Sequence, residues 1–375
     1  MSPANSIAEL KRLGQSIWLD QIDRQMIRSG RLAQYRDLGV TGITANPTIF
    51  AKALEASDDA YADDIARRVG QRQDAEAIVW DLLIEDVQAA ADVFRPVFDR
   101  ERGNDGFVSI EVSPEIAGDT DKTIAAARDL RERCGRPNVM VKIPATPAGL
   151  PAIEAMTAEG ANINVTLIFA VERYVKVVEA FLSGLESLQK GGGDVSRVRS
   201  VASFFVSRVD TKVDERLGRK IAEADEERKP PLKALLGKAA IANSKLAYEM
   251  FTQLHSGQRW DKLRQAGASV QRCLWASTST KNPRYRDTMY VDELIGPATV
   301  NTMPVSTLEA FRDHGRVALT LQRDVEGARR QLDQLAADGI DLAAITQELE
   351  DEGVAGFAKS FRESIQHLSK IKAPH

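Results

Sequence analysis

The chain has 375 residues, of which 43% are hydrophobic and 28% are charged, so it can bury a large core. Its 50 Lys and Arg against 54 Asp and Glu give a net charge of −4, without the basic excess typical of proteins that bind nucleic acids or membrane surfaces. Cys134 and Cys273 have no spacing typical of a metal site or a disulfide framework. The amino terminus shows no signal-peptide pattern, and no apolar stretch approaches a membrane span. We therefore expect a globular, cytoplasmic protein with no nucleic-acid or membrane partner.

Eight short segments rich in β-branched residues recur along the chain, each followed by sequence with helical periodicity. They lie at 16–20, 42–46, 106–112, 139–145, 162–169, 199–207, 270–278 and 299–304. Strands that are almost continuously apolar and alternate with helices indicate a parallel sheet covered by helices. Eight such units predict an α/β fold that closes as a single (β/α)8 TIM barrel.

The segments between the strands predict helices. From 170 to 190 apolar residues recur at spacings of three and four, and Gly191 begins a glycine-rich loop that ends the helix. The connection at 47–105, after the second strand, is long enough for extra helices. Residues 305–375 predict further helix and no strand. Since no repeat or linker divides the chain, we expect one domain over 1–375, in which 305–375 is a packed helical extension.

The fourth predicted strand places Lys142 inside the apolar run VMVKIP. An amine held in an apolar pocket has its charged form disfavoured, so it can attack a ketone and form a Schiff base. A lysine on a half-exposed strand, whose stem covers apolar surface while the ammonium reaches water, would give the same pattern. The strand alone favours neither interpretation.

Polar residues collect where the predicted strands end. The active site of a (β/α)8 barrel lies at the carboxyl ends of its strands, and the interior is otherwise filled by branched aliphatic residues. This accumulation therefore favours a functional site. The polar residues are Asp20, Asn46, Glu111, Lys142, Asn164, Thr166, Ser203, Arg208, Ser277 and Ser279.

Two of these residues are carboxylates with candidate roles in proton transfer. Glu111 lies in the strand next to that of Lys142; it can transfer protons, which we favour, or simply form an ion pair with the lysine. Asp20 ends an apolar strand and is either a base that takes a hydroxyl proton or the N-cap of the following helix.

Asn164 and Thr166 are two residues apart, so they project from the same face of their strand. One can hydrogen-bond a substrate and the other can hold a water, although a network of core amides would give the same pattern. Asn46 precedes Pro47, which is also the pattern of a simple turn.

Arg208 and the loop at 277–281 are candidate phosphate ligands. Arginine can make two charge-assisted hydrogen bonds to a phosphate; the alternative is a surface ion pair with Asp210 or Glu215. The loop supplies hydroxyls and one cation after the seventh strand, a common phosphate position in this fold. A solvated turn would have a similar composition.

The sequence lacks the residue patterns that several other kinds of catalysis require. The histidines all lie outside the predicted strands, which argues against a His-dependent triad or a zinc site. Neither a dinucleotide glycine fingerprint nor a P-loop lysine motif occurs. Catalysis would therefore rely on lysine, carboxylates and hydroxyls. The histidines are His255, His314, His367 and His375.

Seven ordered motifs between Trp18 and Pro304 resemble those of the transaldolase family of class I, Schiff-base aldolases. The longer carboxyl-terminal extension resembles the actinobacterial and cyanobacterial branch. The motifs are LD at 19–20, TANP at 44–47, VSIEV at 108–112, VKIPA at 141–145, NINVTLIF at 162–169, SFFVSR at 203–208 and WAS at 275–277.

The resemblance implies transfer of a dihydroxyacetone unit from sedoheptulose 7-phosphate to glyceraldehyde 3-phosphate, yielding erythrose 4-phosphate and fructose 6-phosphate in the non-oxidative pentose phosphate pathway. It implies no cofactor and no metal, since a protonated imine accepts the electrons that the breaking bond releases. The partners would be sugar-phosphate substrates. For the oligomeric state, a monomer and a homodimer are both compatible with the sequence.

The resemblance also implies catalytic roles. Lys142 corresponds to the Schiff-base lysine, and Asp20 to the base that acts on the hydroxyl next to the breaking bond. Glu111 and Thr166 correspond to an acid/base pair that works through a water.

The implied substrate ligands fall into two groups. Asn46, Asn164 and Ser203 would hold the three-carbon unit, and Arg208 and Ser277 would bind the phosphate.

Two positions affect which residues bind the phosphate and which activity of the family is expected. Many relatives carry an arginine where this chain has Ser279, so we expect Lys281 to share the phosphate with Arg208. The related fructose 6-phosphate aldolases carry a tyrosine where this chain has Phe205, which lines the substrate site and has no proton to give. Fructose 6-phosphate aldolase and a noncatalytic sugar-phosphate-binding barrel are the alternatives.

Overall fold

Eight parallel strands close into a barrel in a computed structural model that describes residues 6–45, 47–56 and 58–371. Each strand pairs with its neighbours in chain order, and β1 also pairs with β8 and closes the ring. The strands β1 to β8 are Gln15–Leu19, Gly42–Thr44, Val108–Glu111, Val139–Pro144, Ile163–Ile168, Ser200–Phe205, Gln271–Ala276 and Thr299–Met303. The predicted (β/α)8 barrel is confirmed; β2 to β8 lie within the segments predicted for them, and β1 begins one residue earlier than predicted, at Gln15.

Helices surround the barrel. Among the described residues none of them is both long and apolar enough to cross a membrane. Two short 3-10 turns, Pro114–Ile116 and Val195–Arg197, also occur. The helices α1 to α17 are Ser6–Arg12, Arg24–Arg28, Arg31–Asp37, Pro47–Ala56, Asp58–Gly70, Ala75–Arg100, Thr120–Cys134, Gly149–Ala158, Val171–Lys190, Ser207–Glu223, Lys229–Ala234, Ala239–Leu254, Gly257–Gln265, Met289–Asp292, Val305–His314, Val325–Ala337 and Leu342–Ser369.

The predicted additions to the barrel are present. Three helices, α4 to α6, occupy the long connection after β2, and α15 to α17 follow β8. Apolar spacing from Leu319 onward predicts a helix over 319–335, but α16 begins only at Val325, after Asp324 adopts a left-handed φ of 49° and caps it by accepting from Gly327 N. Leu319 itself is 46% exposed, so its apolar spacing marks no buried face. The division of the chain into domains stays a prediction.

The last helix, α17, crosses the carboxyl end of the barrel and packs against β5. Gly353 makes the approach possible, since a Cβ there would lie 2.8 Å from Leu167 Cδ2. Further along, Phe361 packs against Trp80 of α6, with ring centroids 5.3 Å apart, and Ser360 hydrogen-bonds Thr48 of α4 at 2.9 Å. The helix is therefore held at several points over the barrel mouth.

Candidate active site

A cavity of about 250 Å³ opens at the carboxyl ends of the strands. Most of its wall comes from strand ends and the loops after them, and one residue comes from α17. The cavity is lined by Asp20, Thr44, Thr48, Lys142, Thr166, Ser203, Phe205, Arg208, Ala276, Ser277, Ser279, Lys281, Thr302, Pro304 and Phe357.

Lys142 lies at the base of this cavity with only 4% of its surface exposed, which contradicts the half-exposed alternative. Parallel pairing sets Glu111 beside it on β3 and Asn164 beside it on β5. The Lys142 Nζ atom lies 3.1 Å from Glu111 Oε2, and it donates a 3.4 Å hydrogen bond to the Ala45 carbonyl. The register thus brings the amine, a carboxylate and an amide together at one level of the barrel.

Burial dominates the titration of Glu111. The side chain is almost fully enclosed, and this desolvation raises its pKa above the ordinary value, although the charge and hydrogen bond of Lys142 act in the opposite direction. The negative charge of Asp20 adds to the increase. Glu111 therefore forms the expected ion pair, yet its environment also eases protonation, which suits a group that accepts and returns a proton.

Asp20 keeps one edge open to the cavity and is enclosed by protein elsewhere. This burial raises its pKa, while the charges of Lys142 and Arg208 and a hydrogen bond from Thr44 lower it. The alternative role of Asp20 as an N-cap is wrong: the side chain that caps α2 belongs to Asp23, which accepts from Gln25 N.

Thr44 on β2 connects Asp20 to β8, the strand that flanks β1 on its other side. Its hydroxyl donates to Asp20 Oδ1 at 3.0 Å and lies 2.8 Å from the Thr302 hydroxyl. A threonine has one hydroxyl proton, so when Thr44 donates to Asp20, Thr302 must donate to Thr44. This short relay fixes the orientation of the Asp20 carboxylate.

Below the cavity, a polar chain runs across three strands. The Ser203 hydroxyl donates to Asn164 Oδ1 at 2.7 Å, and Asn164 Nδ2 donates to Ser109 at 3.0 Å. The Thr166 hydroxyl, one layer above Asn164, is fully buried and has no hydrogen-bond partner among the described residues. The amide network and a free hydroxyl thus occur together, on the shared face predicted for Asn164 and Thr166.

Two residues beside the cavity adopt left-handed φ angles that non-glycine residues seldom use: Leu167 at 59° and Ser277 at 56°. Leu167 follows Thr166 at an irregularity in the pairing of β5 with β6. Bulges and strained backbone often occur next to active sites, where they redirect side chains.

Arg208 lies in the first turn of α10, with its guanidinium 5.3 Å from the centre of the Phe205 ring. The predicted alternative of an ion pair with Asp210 or Glu215 is wrong. Asp210 is buried and accepts from Ala240 N and the Tyr290 hydroxyl, and Glu215 pairs with Arg219.

The loop after β7 lies next to Arg208. Ser277 hydrogen-bonds Ser207 at 2.9 Å, and Lys281 Nζ donates to Ser279 at 2.7 Å. No side chain caps the amino terminus of α10, but the N–H of Ser207 donates to the Ser277 carbonyl and that of Val209 donates to the Val206 carbonyl. The candidate anion ligands at this corner are therefore the side chains of Arg208 and Lys281, beside the positive end of the helix dipole.

A model of the transaldolase/fructose-6-phosphate aldolase family matches residues 17–368. The chain belongs to this family.

Individual relatives in the family are similar over nearly their whole length. The transaldolase of Thermobifida fusca is 47% identical over 98% of this chain and 99% of its own. That of Parafrankia sp. is 47% identical over 96% of each chain, and that of Trichodesmium erythraeum is 42% identical over 98% of each.

Of the residues predicted for the family site, eight line the cavity, Glu111 and Asn164 contact residues that line it, and Asn46 lies outside the described residues. Sequence reasoning did not include Thr44, Thr302 or Phe357 in the site. The two threonines have a signal, since each is a polar residue in a short apolar strand. Phe357 has none: its ring centre lies 5.7 Å from Lys142 Nζ only because α17 folds over the mouth.

Proposed function

We propose that the protein is a transaldolase that moves a dihydroxyacetone unit from sedoheptulose 7-phosphate to glyceraldehyde 3-phosphate, giving erythrose 4-phosphate and fructose 6-phosphate. The observation that supports this most strongly is the buried Lys142 amine at the base of the cavity, 3.1 Å from Glu111. A binding protein for sugars needs hydroxyl partners, but it does not need an amine enclosed beside a carboxylate.

In the first step Lys142 transfers a proton to Glu111 and attacks the ketone of the donor. The ketone oxygen leaves as water after proton transfer from Glu111, which works with Thr166 through a water. The product is a protonated imine. The raised pKa of Glu111 supports this role, because both protonation states are then accessible in one catalytic cycle.

In the second step Asp20 removes the proton of the hydroxyl next to the bond that breaks. That oxygen forms the aldehyde of the leaving product, and the bonding electrons move into the protonated imine and give an enamine. Addition of the acceptor aldehyde reverses these steps. The hydrogen bond from Thr44 keeps the Asp20 carboxylate aimed at the substrate.

The remaining residues would hold the substrate. Asn164 and Ser203 are already linked by a 2.7 Å hydrogen bond and would orient the hydroxyls of the three-carbon unit, together with Asn46. Arg208, Ser277 and Lys281 would bind the phosphate at the start of α10. The reaction as proposed needs no cofactor. We also propose a cytoplasmic location, since both cysteines are free thiols, as in a reducing compartment.

The test is covalent trapping. Incubation with fructose 6-phosphate and borohydride should leave a three-carbon adduct on the peptide that contains Lys142. Lys245 is a matched internal control: it is also largely buried, and burial lowers its pKa, but its Nζ donates to the Arg323 carbonyl in another part of the molecule. An adduct on Lys245, or none on the folded protein, would contradict the proposal.

Fructose 6-phosphate aldolase, the other activity in the family name, is the second candidate. Phe205 favours transfer over this activity, because its ring packs against Phe169 at 5.0 Å and carries no proton that could quench the enamine. We expect little free dihydroxyacetone when fructose 6-phosphate is supplied without an acceptor. Its rapid release would reverse the choice, and binding without turnover or trapping would favour the noncatalytic barrel.

A further inference from the structure

A second cavity, of about 420 Å³, lies at the opposite end of the barrel, where β4, β5 and β6 begin. Part of its lining is apolar and comes from Phe98, Val139 and Val141. Its charged lining consists only of arginines, since no Asp or Glu of the described chain contributes to the wall. These arginines are Arg102, Arg131, Arg136, Arg197 and Arg199.

Two of the five arginines are neutralised by carboxylates outside the cavity. Arg136 makes a two-pronged ion pair with Asp92, with hydrogen bonds of 2.7 and 3.0 Å. Arg197 pairs with Asp194 at 3.2 Å.

The other three have no carboxylate partner within the described residues. Arg131 donates to the backbone carbonyl of Glu159, whose carboxylate is engaged by Arg128. Arg199 donates to the Asn104 side chain and the Ser196 carbonyl. The side chain of Arg102 makes neither a hydrogen bond nor an ion pair with any described residue; only its backbone N–H is engaged, by the Asp99 carbonyl at 3.1 Å. Arg131 and Arg199 feel the charges of Glu159 and Asp194 without a direct ion pair, so the cavity concentrates positive charge that no carboxylate of its described wall neutralises.

Arg199 shows what this arrangement costs. It is half-buried at the foot of β6, where burial and the charge of Arg272 lower its pKa and the charge of Asp194 raises it. Arg272 itself lies 3.8 Å from Asp105. A guanidinium kept partly desolvated and next to another cation is unfavourable unless an anion compensates it.

We propose that this cavity binds a small molecule that carries two or more phosphate groups. Its volume lies in the range of small-molecule sites. The planar guanidinium forks match phosphate oxygens, and several arginines around one cavity favour an anion with more than one charged group. The apolar part of the lining would accommodate the carbon body. The site is separate from the catalytic cavity and does not depend on the proposed transaldolase activity.

The experiment is calorimetric titration of the full-length protein with inorganic tripolyphosphate at fixed ionic strength. All variants carry Arg208→Ala, which weakens anion binding at the catalytic cavity, so the signal reports the second cavity. Binding should persist in this background. Adding Arg102→Asn and Arg131→Gln should weaken it at least about tenfold, since hydrogen bonds to charged groups are among the stronger ones. Asparagine tolerates the left-handed φ of 52° at position 102.

The matched control adds Arg312→Gln and Arg219→Gln, which remove the same charge from exposed ion pairs elsewhere. It should change the affinity less than about twofold. A separate variant, Arg197→Glu, covers the case in which the double variant fails to fold. It places a carboxylate at the rim of the cavity, where the Arg197 side chain is 86% exposed, and should also weaken binding. Loss of all binding with Arg208→Ala alone, or equal weakening in the control, would overturn the proposal.

Discussion

The two ends of the barrel use positive charge differently. At the carboxyl end, cations alternate with acids: Glu111 lies 3.1 Å from Lys142, and the Asp20 carboxylate feels the charges of Lys142 and Arg208. At the amino end, five arginines surround a cavity without one acid in its described wall. Groups that are paired within the protein, such as Lys142 and Glu111, can exchange protons during a reaction. The arginines at the amino end that have no carboxylate partner offer their charge to a ligand from outside.

The largest expected effect is a loss of catalysis at the carboxyl end with no change in ligand binding at the amino end. Lys142→Arg keeps a cation beside Glu111, so the fold should persist, but a guanidinium does not form the imine. We expect kcat to fall by on the order of 10⁴-fold or more, as for loss of other covalent nucleophiles. Tripolyphosphate binding at the amino end should not change. Residual activity near that of the unchanged protein would mean that another group is the nucleophile.

The second prediction concerns acid stability at the amino end. His255 Nε2 accepts from Gln271 N, where β7 begins, so Nδ1 carries the proton and donates to the Phe251 carbonyl. Burial lowers its pKa from 6.5 to about 4. The folded state holds the His255 imidazole in its neutral form. The stability of the folded state is therefore fully present above pH 6.5, the ordinary pKa of histidine, and declines as the pH falls toward 4. The loss should reach about 3 kcal/mol in the free energy of unfolding.

Urea unfolding of His255→Gln between pH 7 and 4 checks this, because the variant should lose that part of the pH dependence. His314 provides a control of opposite sign. It is exposed, and hydrogen bonds to Asp287 and Asp313 raise its pKa, so its contribution is present at low pH and declines as the pH rises. An identical pH profile for His255→Gln and the unchanged protein would contradict the assignment.

The third prediction tests the phosphate corner of the carboxyl end. Arg208→Ala should cost about 2 kcal/mol in binding, seen as roughly a 30-fold higher KM for fructose 6-phosphate. Lys281→Ala should cost less, because an ammonium acts as a point charge from a more solvated loop. Imine formation with unphosphorylated dihydroxyacetone is the control and should survive in both. An unchanged KM in Lys281→Ala would leave Ser279 or the α10 backbone as the partner of Arg208.

The smallest effect is a shift in pH dependence. The hydrogen bond from Thr44 lowers the pKa of Asp20, so Thr44→Val should raise it. Because the base must be ionised, the acid limb of kcat/KM should move to higher pH. Thr44→Ser keeps the hydroxyl and should restore the profile. A uniform loss of rate with no movement of the limb would indicate a purely structural role.

The sequence predicts the barrel well because its strands are short, apolar and separated by strong helical signals. The neighbourhood of Lys142 and Glu111 is also predictable, since consecutive parallel strands place residues at their ends side by side. The acidity of these groups is not predictable in the same way. It depends on how completely the barrel encloses them, which no local pattern reports.

The parts that sequence reasoning missed depend on long-range docking. Phe357 reaches Lys142 because Gly353, one turn earlier, lets α17 approach Leu167. The arginine-lined cavity has a similar origin: Arg102 and Arg199 come from loops far apart in the chain, and only the closed barrel brings them together. Neither arrangement has a periodic signature.

The docking of α17 has a consequence for the fate of the reaction intermediate. The barrel strands are all complete by Met303, whereas the phenyl ring that covers Lys142 is added later in the chain. A molecule cleaved between β8 and α17 would keep its lysine and its carboxylates but would leave the enamine open to water. Such a molecule would release free dihydroxyacetone instead of transferring it to an acceptor. In the proposed reaction the helix would thus set the partition between transfer and leakage, although it supplies no reactive group.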